Sequence, residues 1–220
     1  MKIGIEAQRL FRQKKHGMEI VTLELIRERL KIDHENEYFI YVRPDTDSEC
    51  ITSTENFHIV ELDGASFSMW EQFSLPAAAK RDGCEILHCT SNTAPLNPKM
   101  PLLITLHDII YLEKTYLEIL FSPASNYQRF GNIYRKFIVK RVVGRADKII
   151  TVSNYEKKRI NNHFWQESQP NKVKVVYNGV SEHFKPVTDK KQLQRVKAQY
   201  SLPDKFVLFF GNTAPKKNVT

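Results

Sequence analysis

The sequence has no apolar run near the roughly 20 residues a membrane-spanning helix needs. Met1-Lys2-Ile3-Gly4-Ile5 is followed by no apolar segment of the kind a secretory signal carries. The chain is therefore expected to fold from its first residue and stay in the cytoplasm, reaching the inner face of a plasma membrane only peripherally. Cysteine is scarce: Cys50, Cys84 and Cys89 are odd in number and lack CxxC spacing, so neither a disulfide framework nor a zinc site is indicated. Three reduced thiols are expected, two of them packed around a strand. No His, Cys, Asp or Glu cluster has metal-ligand spacing, no pair of carboxylates stands at catalytic spacing, and GxGxxG is absent. Neither a metal nor a bound cofactor is expected.

What is present is a soluble, globular composition. The 220 residues are 41% hydrophobic and 26% charged. Thirty-three Lys and Arg against 25 Asp and Glu leave a net charge of +8. That charge suits an anionic partner: nucleic acid, an anionic membrane surface or a phosphorylated small molecule. It also serves general solubility. A nucleic-acid binder would interleave exposed aromatics with basic residues, whereas the aromatics here follow core periodicity, so no nucleic acid is expected.

The central stretch is Cys84 to Leu112. Two strand-like runs, Glu85-Cys89 and Leu102-Leu106, each deliver polar residues as the apolar ones end. The first leads into Thr90, Ser91 and Asn92, and the second into His107 and Asp108. In an open parallel α/β sheet the ligand crevice lies at the carboxyl ends of the strands, which makes these residues candidates for chemistry.

Around this centre, strands alternate with helices. Lys2-Ala7 opens the fold as a strand, and Ile20, Leu23, Ile26 and Leu30 recur at helical spacing after a basic loop holding Arg9, Arg12, Lys14, Lys15 and His16. Gly17 falls at the helix start, where backbone N–H groups and the helix dipole can receive an anion. Glu37-Val42 and Phe57-Leu62 are further strands. Ser68-x-x-Glu71 has the form of a capping box, with Trp70, Phe73 and Ala77 on one face of the following helix and Pro76 either kinking or restarting it. Ile109 to Ser122 is expected as a loop with a short helix. A long helix from about Ser125 to Arg145 would carry Phe130, Ile133, Tyr134, Phe137, Ile138 and Val142 as its stripe, with Arg129, Arg135, Lys136, Lys140, Arg141 and Arg145 on other faces. Such a basic helix can lie on an anionic membrane or simply cover the sheet. Lys148-Val152 is a strand, Ser153 caps a helix to about His163, Val173-Tyr177 is a strand, Asp189-Tyr200 is helical, and Phe206-Phe210 starts another strand. Roughly seven strands alternating with helices predict an α/β fold: a Rossmann-like parallel sheet covered on both faces.

Seven segments in this order resemble the N-terminal half of a retaining glycosyltransferase of family 4, with the GT-B architecture of two facing Rossmann-like domains. They are MKIGIEAQRL with HGMEIVTLELI; WEQFSLP; EILHCTSNTAPL; ITLHDIIYL; ITVSNYEKKRI; VVYNGVSEHFKP; and FVLFFGNTAPKKN. The resemblance extends to members that build bacterial polysaccharides, often mannosyltransferases. It implies residues 1–203 as an acceptor-side domain and 204–220 as the first strand and basic loop of a truncated donor-binding domain. It further implies a nucleotide-sugar substrate, GDP- or UDP-linked, and a glycan or lipid-linked acceptor, and it is compatible with the peripheral membrane contact that the basic Arg129 to Arg145 helix suggests. His107 would contact the transferred sugar and Asp108 would orient its loop. Gly17, Lys216 and Lys217 would serve the donor diphosphate, and Ser91 and Asn92 lie on the acceptor side. The family's second loop glycine falls at Glu19, and an arginine frequent after the strand glycine is Asn212. The chain alone would then turn over little or no substrate. The competing reading is a non-catalytic Rossmann-like module that uses its basic face on a membrane or an anionic partner.

Overall fold

A computed structural model of the chain describes residues 1–123, 125–165, 171–181 and 184–209. Two compact units divide it, Met1–Gly179 and Val180–Thr220. The first is built on seven parallel strands: β1 (Lys2–Glu6), β2 (Glu37–Val42), β3 (Phe57–Glu61), β4 (Ile86–Cys89), β5 (Leu102–Leu106), β6 (Lys148–Thr151) and β7 (Val173–Val175). They stand in the order β3-β2-β1-β4-β5-β6-β7. Period-two alternation divides their side chains between two cores. Ile5, Tyr38, Ile40 and Val42 pack with Leu23 and Ile26 of α1 (Gly17–Ile32). Tyr41, Leu87, Cys89, Ile104 and Leu106 pack with Trp70 and with Ile138, Val139, Val142 and Val143 of α6 (Asn126–Arg145). Cys84 and Cys89 are buried beside and within β4, Cys50 is half-buried, and all three are free thiols.

The β3-to-β4 crossover departs from the expected helix. The cap of α2 (Phe67–Met69) is Ser66, whose hydroxyl accepts from Met69 N at 3.2 Å, and not Ser68; Glu71 is buried rather than capping. A π-helical turn, Trp70–Ser74, follows, with Leu75 N–H donating to Trp70 O, before α3 (Leu75–Arg81). Proline explains the widening. In a regular α-helix the Pro76 ring would meet the carbonyl four residues back, and a wider turn relieves that clash. The extra residue also rotates the faces. Trp70, Leu75, Ala78 and Ala79 are buried, while Phe73 is 64% exposed and Ala77 is also in solvent.

Between β5 and β6 lie α4 (Ile110–Glu113), α5 (Tyr116–Leu120) and α6. The apolar stripe of α6 is narrower than its sequence predicts. The helix also packs on α4 and α5, leaving Phe130 63% and Phe137 42% exposed, and Ile138, Val139, Val142 and Val143 are its residues buried in the core. Lys136 is buried, against the expectation of a solvent face. Its ammonium donates to Leu112 O at 2.8 Å and to Lys114 O, satisfying carbonyls left open where α4 ends. Arg129 donates to Ser122 O, Arg141 to Phe137 O and Arg145 to Leu96 O, so much of this basic stripe is engaged with the chain's own backbone. After β6, Ser153 caps α7 (Asn154–Phe164) through Glu156 N at 3.1 Å, as its spacing predicts.

Within Val180–Thr220, α8 (Lys190–Gln199) is capped by Asp189 Oδ1 on Lys191 N at 2.9 Å. Residues 206–209 form no strand; Val207 is 95% exposed. A parallel strand needs a neighbour to hydrogen-bond, and none is paired with this segment among the described residues. No described helix is long and apolar enough to cross a membrane.

Trp70 anchors the crossover through its indole N–H on Leu62 O at 2.8 Å. A Cβ at Gly64 would lie 2.8 Å from Trp70 Cβ. Gly64→Ala is therefore expected to destabilise the chain by roughly 1–3 kcal/mol, read from the urea midpoint; an unchanged midpoint would show that the Trp70 packing yields freely.

Candidate functional site

Strand order reverses direction between β1 and β4, the topological switch point where an open parallel sheet leaves a crevice. Glu6 ends β1 there and is buried. Its carboxylate accepts from Gln8 N at 3.0 Å and from Thr90 N at 3.3 Å. The Thr90 hydroxyl donates to Glu6 O at 2.8 Å and accepts from the Thr22 hydroxyl of α1 at 2.9 Å. One carboxylate thus ties together the ends of β1 and β4. Burial raises the Glu6 pKa, outweighing those backbone hydrogen bonds and the charge of Arg9.

The β5 end is locked onto the same loop. Asn92 sits in the left-handed region at φ 67°, a conformation that asparagine tolerates. Its side-chain oxygen accepts from His107 N at 2.6 Å, and its own N–H donates to Thr105 O at 3.1 Å. His107 Nε2 lies 3.0 Å from Thr90 O. A carbonyl only accepts, so Nε2 carries the proton and Nδ1 is left as an acceptor. Burial lowers the His107 pKa and keeps the ring neutral near pH 7. Asp108 Oδ1 accepts from Ile110 N at 3.4 Å, which holds the loop entering α4. Ser91 is half-buried with its hydroxyl against Glu6. His107, Asp108, Ser91 and Asn92 are therefore gathered at one sheet edge, with Asn92 acting on the His107 backbone.

A second buried carboxylate escaped the sequence reading. Glu71 accepts from the Tyr134 hydroxyl at 2.6 Å, from the Thr93 hydroxyl, and from Gln72 Nε2 at 3.0 Å. Gln72 also donates to Ala94 O at 3.1 Å and accepts from Leu96 N at 2.9 Å. The π turn thus grips the loop after β4. Burial, with the nearby Glu6 charge adding to it, pushes the Glu71 pKa up to about 7. Glu6 and Glu71 form a pair that no local spacing reveals. Both are sealed from solvent, so they shape the crevice and offer no nucleophile.

Arg9 follows β1. Its guanidinium stacks 4.4 Å from the Phe67 ring centroid, and Nη1 is 3.9 Å from Glu19. Burial and the charges of Arg135 and Arg12 lower its pKa. Gly17 opens α1, and a Cβ added there would meet nothing within 4 Å. At the same helix start Glu19, also buried, accepts from His16 N at 2.6 Å. A carboxylate therefore already occupies part of this N-terminus, at the position where the resembled family has its second glycine. Lys216 and Lys217 lie outside the described residues. Among the described residues no three His, Cys, Asp or Glu side chains group as metal ligands.

A seven-stranded parallel sheet with helices on both faces and polar loops gathered at its switch point defines a Rossmann-like domain of the GT-B type. The family model Glycosyltransferase Family 4 matches residues 16–184. The chain belongs to that family. Solved structures similar to it include a glycosyltransferase from Rickettsia africae ESF-5, at 17% identity and TM-score 0.57, covering 92% of this chain and 50% of that one. Another is Anabaena Alr3699/HepE in complex with UDP-glucose, at 15% identity and TM-score 0.53, covering 91% and 50%. A third is Phytolacca americana UGT2 complexed with UDP-2fluoro-glucose and pterostilbene, at 11% identity and TM-score 0.50, covering 88% and 57%. The chain matches about half the length of each of these. No curated protein matches it.

Glu71 gives the site a pH signature. Its folded pKa of about 7 stands above the ordinary 4.5, so the fold favours the protonated acid. The stability this supplies is complete below about pH 4.5 and is lost as pH rises through 7. Glu71→Gln, neutral throughout, is expected to gain in Tm relative to the unsubstituted chain between pH 5 and 8. A Tm difference flat across that range would contradict the assignment.

Proposed function

We infer that the full-length gene product is a glycosyltransferase that moves a sugar from a UDP- or GDP-linked donor to a glycan or lipid-linked acceptor, with retention at the anomeric carbon, in bacterial cell-surface polysaccharide synthesis. The observation that carries this reading is the fixed state of His107. Its Nε2–H is committed to Thr90 O and its backbone N–H to Asn92, so the neutral ring offers Nδ1 to a sugar hydroxyl. Family membership supports the reaction class. UDP-glucose in the Anabaena protein and a UDP-sugar analogue in the Phytolacca protein favour a uridine donor.

In this reading the acceptor oxygen bonds to the anomeric carbon as the bond from that carbon to the diphosphate breaks, and the acceptor proton passes to the departing diphosphate. Negative charge grows on the diphosphate. Gly17 at the start of α1, with Lys216 and Lys217, would stabilise it. Asp108 holds the His107 loop, and Ser91 and Asn92 line the acceptor side. The nucleotide itself would be held by a second domain, so residues 1–220 alone would show little or no turnover.

Thermal melting of the full-length protein with UDP-glucose, UDP-galactose and GDP-mannose tests this. One nucleotide sugar is expected to raise Tm by several degrees, and His107→Ala to reduce that rise. Gly17→Ala, whose added methyl meets open space, should leave the ligand-free Tm unchanged while shrinking the shift. No shift with any nucleotide sugar would defeat the transferase reading.

A further inference from the structure

A cleft of about 580 Å³ opens beside the candidate site, lined by Gln8, Arg9, Arg12, Arg43, Pro44, Asp45, Ala65, Ser66 and Phe67. It contains none of Gly17, Ser91, Asn92, His107 or Asp108. Its walls come from the loops after β1, β2 and β3. Three arginines enter it. Arg12 and Arg43 have no side-chain hydrogen bond or ion pair among the described residues, and the cleft's one acidic residue is Asp45, which accepts from Thr46 N at 2.7 Å. Arg9 is faced by Glu19 and, deeper, by Glu6.

Two polar atoms in this wall are buried without a partner: Arg9 Nε and Gln8 Oε1. Leaving such atoms unsatisfied is costly, and both belong to side chains that are otherwise held. Phe67 stacks on the Arg9 guanidinium, and Gln8 Nε2 donates to Phe67 O at 3.3 Å. The wall therefore holds one N–H donor and one carbonyl acceptor without partners, and Arg12 and Arg43 line the same cleft. An oxyanion answers the donor, and an adjacent hydroxyl answers the acceptor. A carboxylate has two oxygens for these groups, whereas a phosphoryl group has three and more charge, which suits arginine forks.

The frame is rigid. Leu10 and Phe11 bury the tip of the β1-to-α1 loop, and Lys15 pairs with Asp47 while donating to Arg12 O at 3.0 Å. Asp47 N–H donates to Phe11 O at 2.8 Å. The cleft is thus a preformed feature of unit Met1–Gly179.

We propose that this cleft is an acceptor subsite for a sugar bearing a phosphoryl group, with Arg9 Nε, Arg12 and Arg43 on the phosphoryl oxygens and Gln8 Oε1 accepting from a neighbouring sugar hydroxyl. It rests on the transferase reading and names the acceptor's chemical class: a glycosyl phosphate, either free in solution or attached to a lipid carrier.

The test is calorimetric titration of the full-length protein, saturated with UDP so that the donor site is filled. Glucose 1-phosphate represents the soluble source and citronellyl-diphospho-glucose the lipid-carried one, with glucose and sulfate as controls. At least one phosphoryl sugar is expected to bind, with glucose and sulfate each weaker by about tenfold or more. Arg12→Gln and Arg43→Gln should each raise Kd by about tenfold. Neither side chain has a partner among the described residues, so the variants' ligand-free Tm should not move. Tighter binding of the citronellyl compound assigns the lipid source, and equal binding assigns the soluble one. Binding absent for both compounds, matched by sulfate, or unaffected by the two substitutions would overturn the subsite while leaving the transferase reading intact. Failure of UDP itself to bind would strike that reading instead.

Discussion

Glu6 is the constraint on which the rest of the site depends. A carboxylate at the carboxyl end of the central strand is removed from water, and the amides of Gln8 and Thr90, with the Ser91 hydroxyl and the charge of Arg9, offset its burial, while the Thr90 hydroxyl donates to the Glu6 carbonyl. Those partners belong to the two loops that diverge at the switch point. Satisfying one side chain therefore fixes where both loops begin. Thr90 passes the constraint on, since its carbonyl receives His107 Nε2–H and its hydroxyl is held by Thr22 of α1. A histidine on β5, a loop on β4 and a helix after β1 are in this way referred to one point.

The π turn supplies a second hold from the other side. Trp70, Glu71 and Gln72 are consecutive, yet they reach Leu62, Thr93, Ala94, Leu96 and Tyr134. A regular helix would present these three side chains about 100° apart in sequence. The wider turn lets Trp70 and Glu71 be buried together with Gln72 beside them. Pro76 is thus linked to the site through geometry rather than contact.

Much of this was legible in the residues. β5 was delimited correctly, Ser153 caps its helix, and the gathering of His107, Asp108, Ser91 and Asn92 followed from where apolar runs end. Those features are local, and strand and helix periods report them directly. Glu6 was not legible, because its burial is decided by Thr90, 84 residues away. The S-x-x-E pattern predicts Glu71 as a cap; the competing serine two residues earlier and the π turn both arise from tertiary packing. Phe73, Ala77, Phe130 and Phe137 were placed on buried faces by a 3.6-residue period that ignores the inserted residue and the change of neighbours along α6. Lys136 looked like a solvent charge, and its burial depends on open carbonyls at Leu112 and Lys114. The strand expected at Phe206 has no partner strand among the described residues.

The central proposal is that the crevice organised by Glu6 at the ends of β1, β4 and β5 meets the sugar and diphosphate of a nucleotide-sugar donor. Amide hydrogen exchange of the full-length protein, with and without the nucleotide sugar it binds, examines this directly. Slower exchange is predicted for segments 8–20, 90–94 and 106–112 when the ligand is present, with β2 and β3 unchanged. Ligand-dependent protection that leaves all three segments untouched would contradict the account.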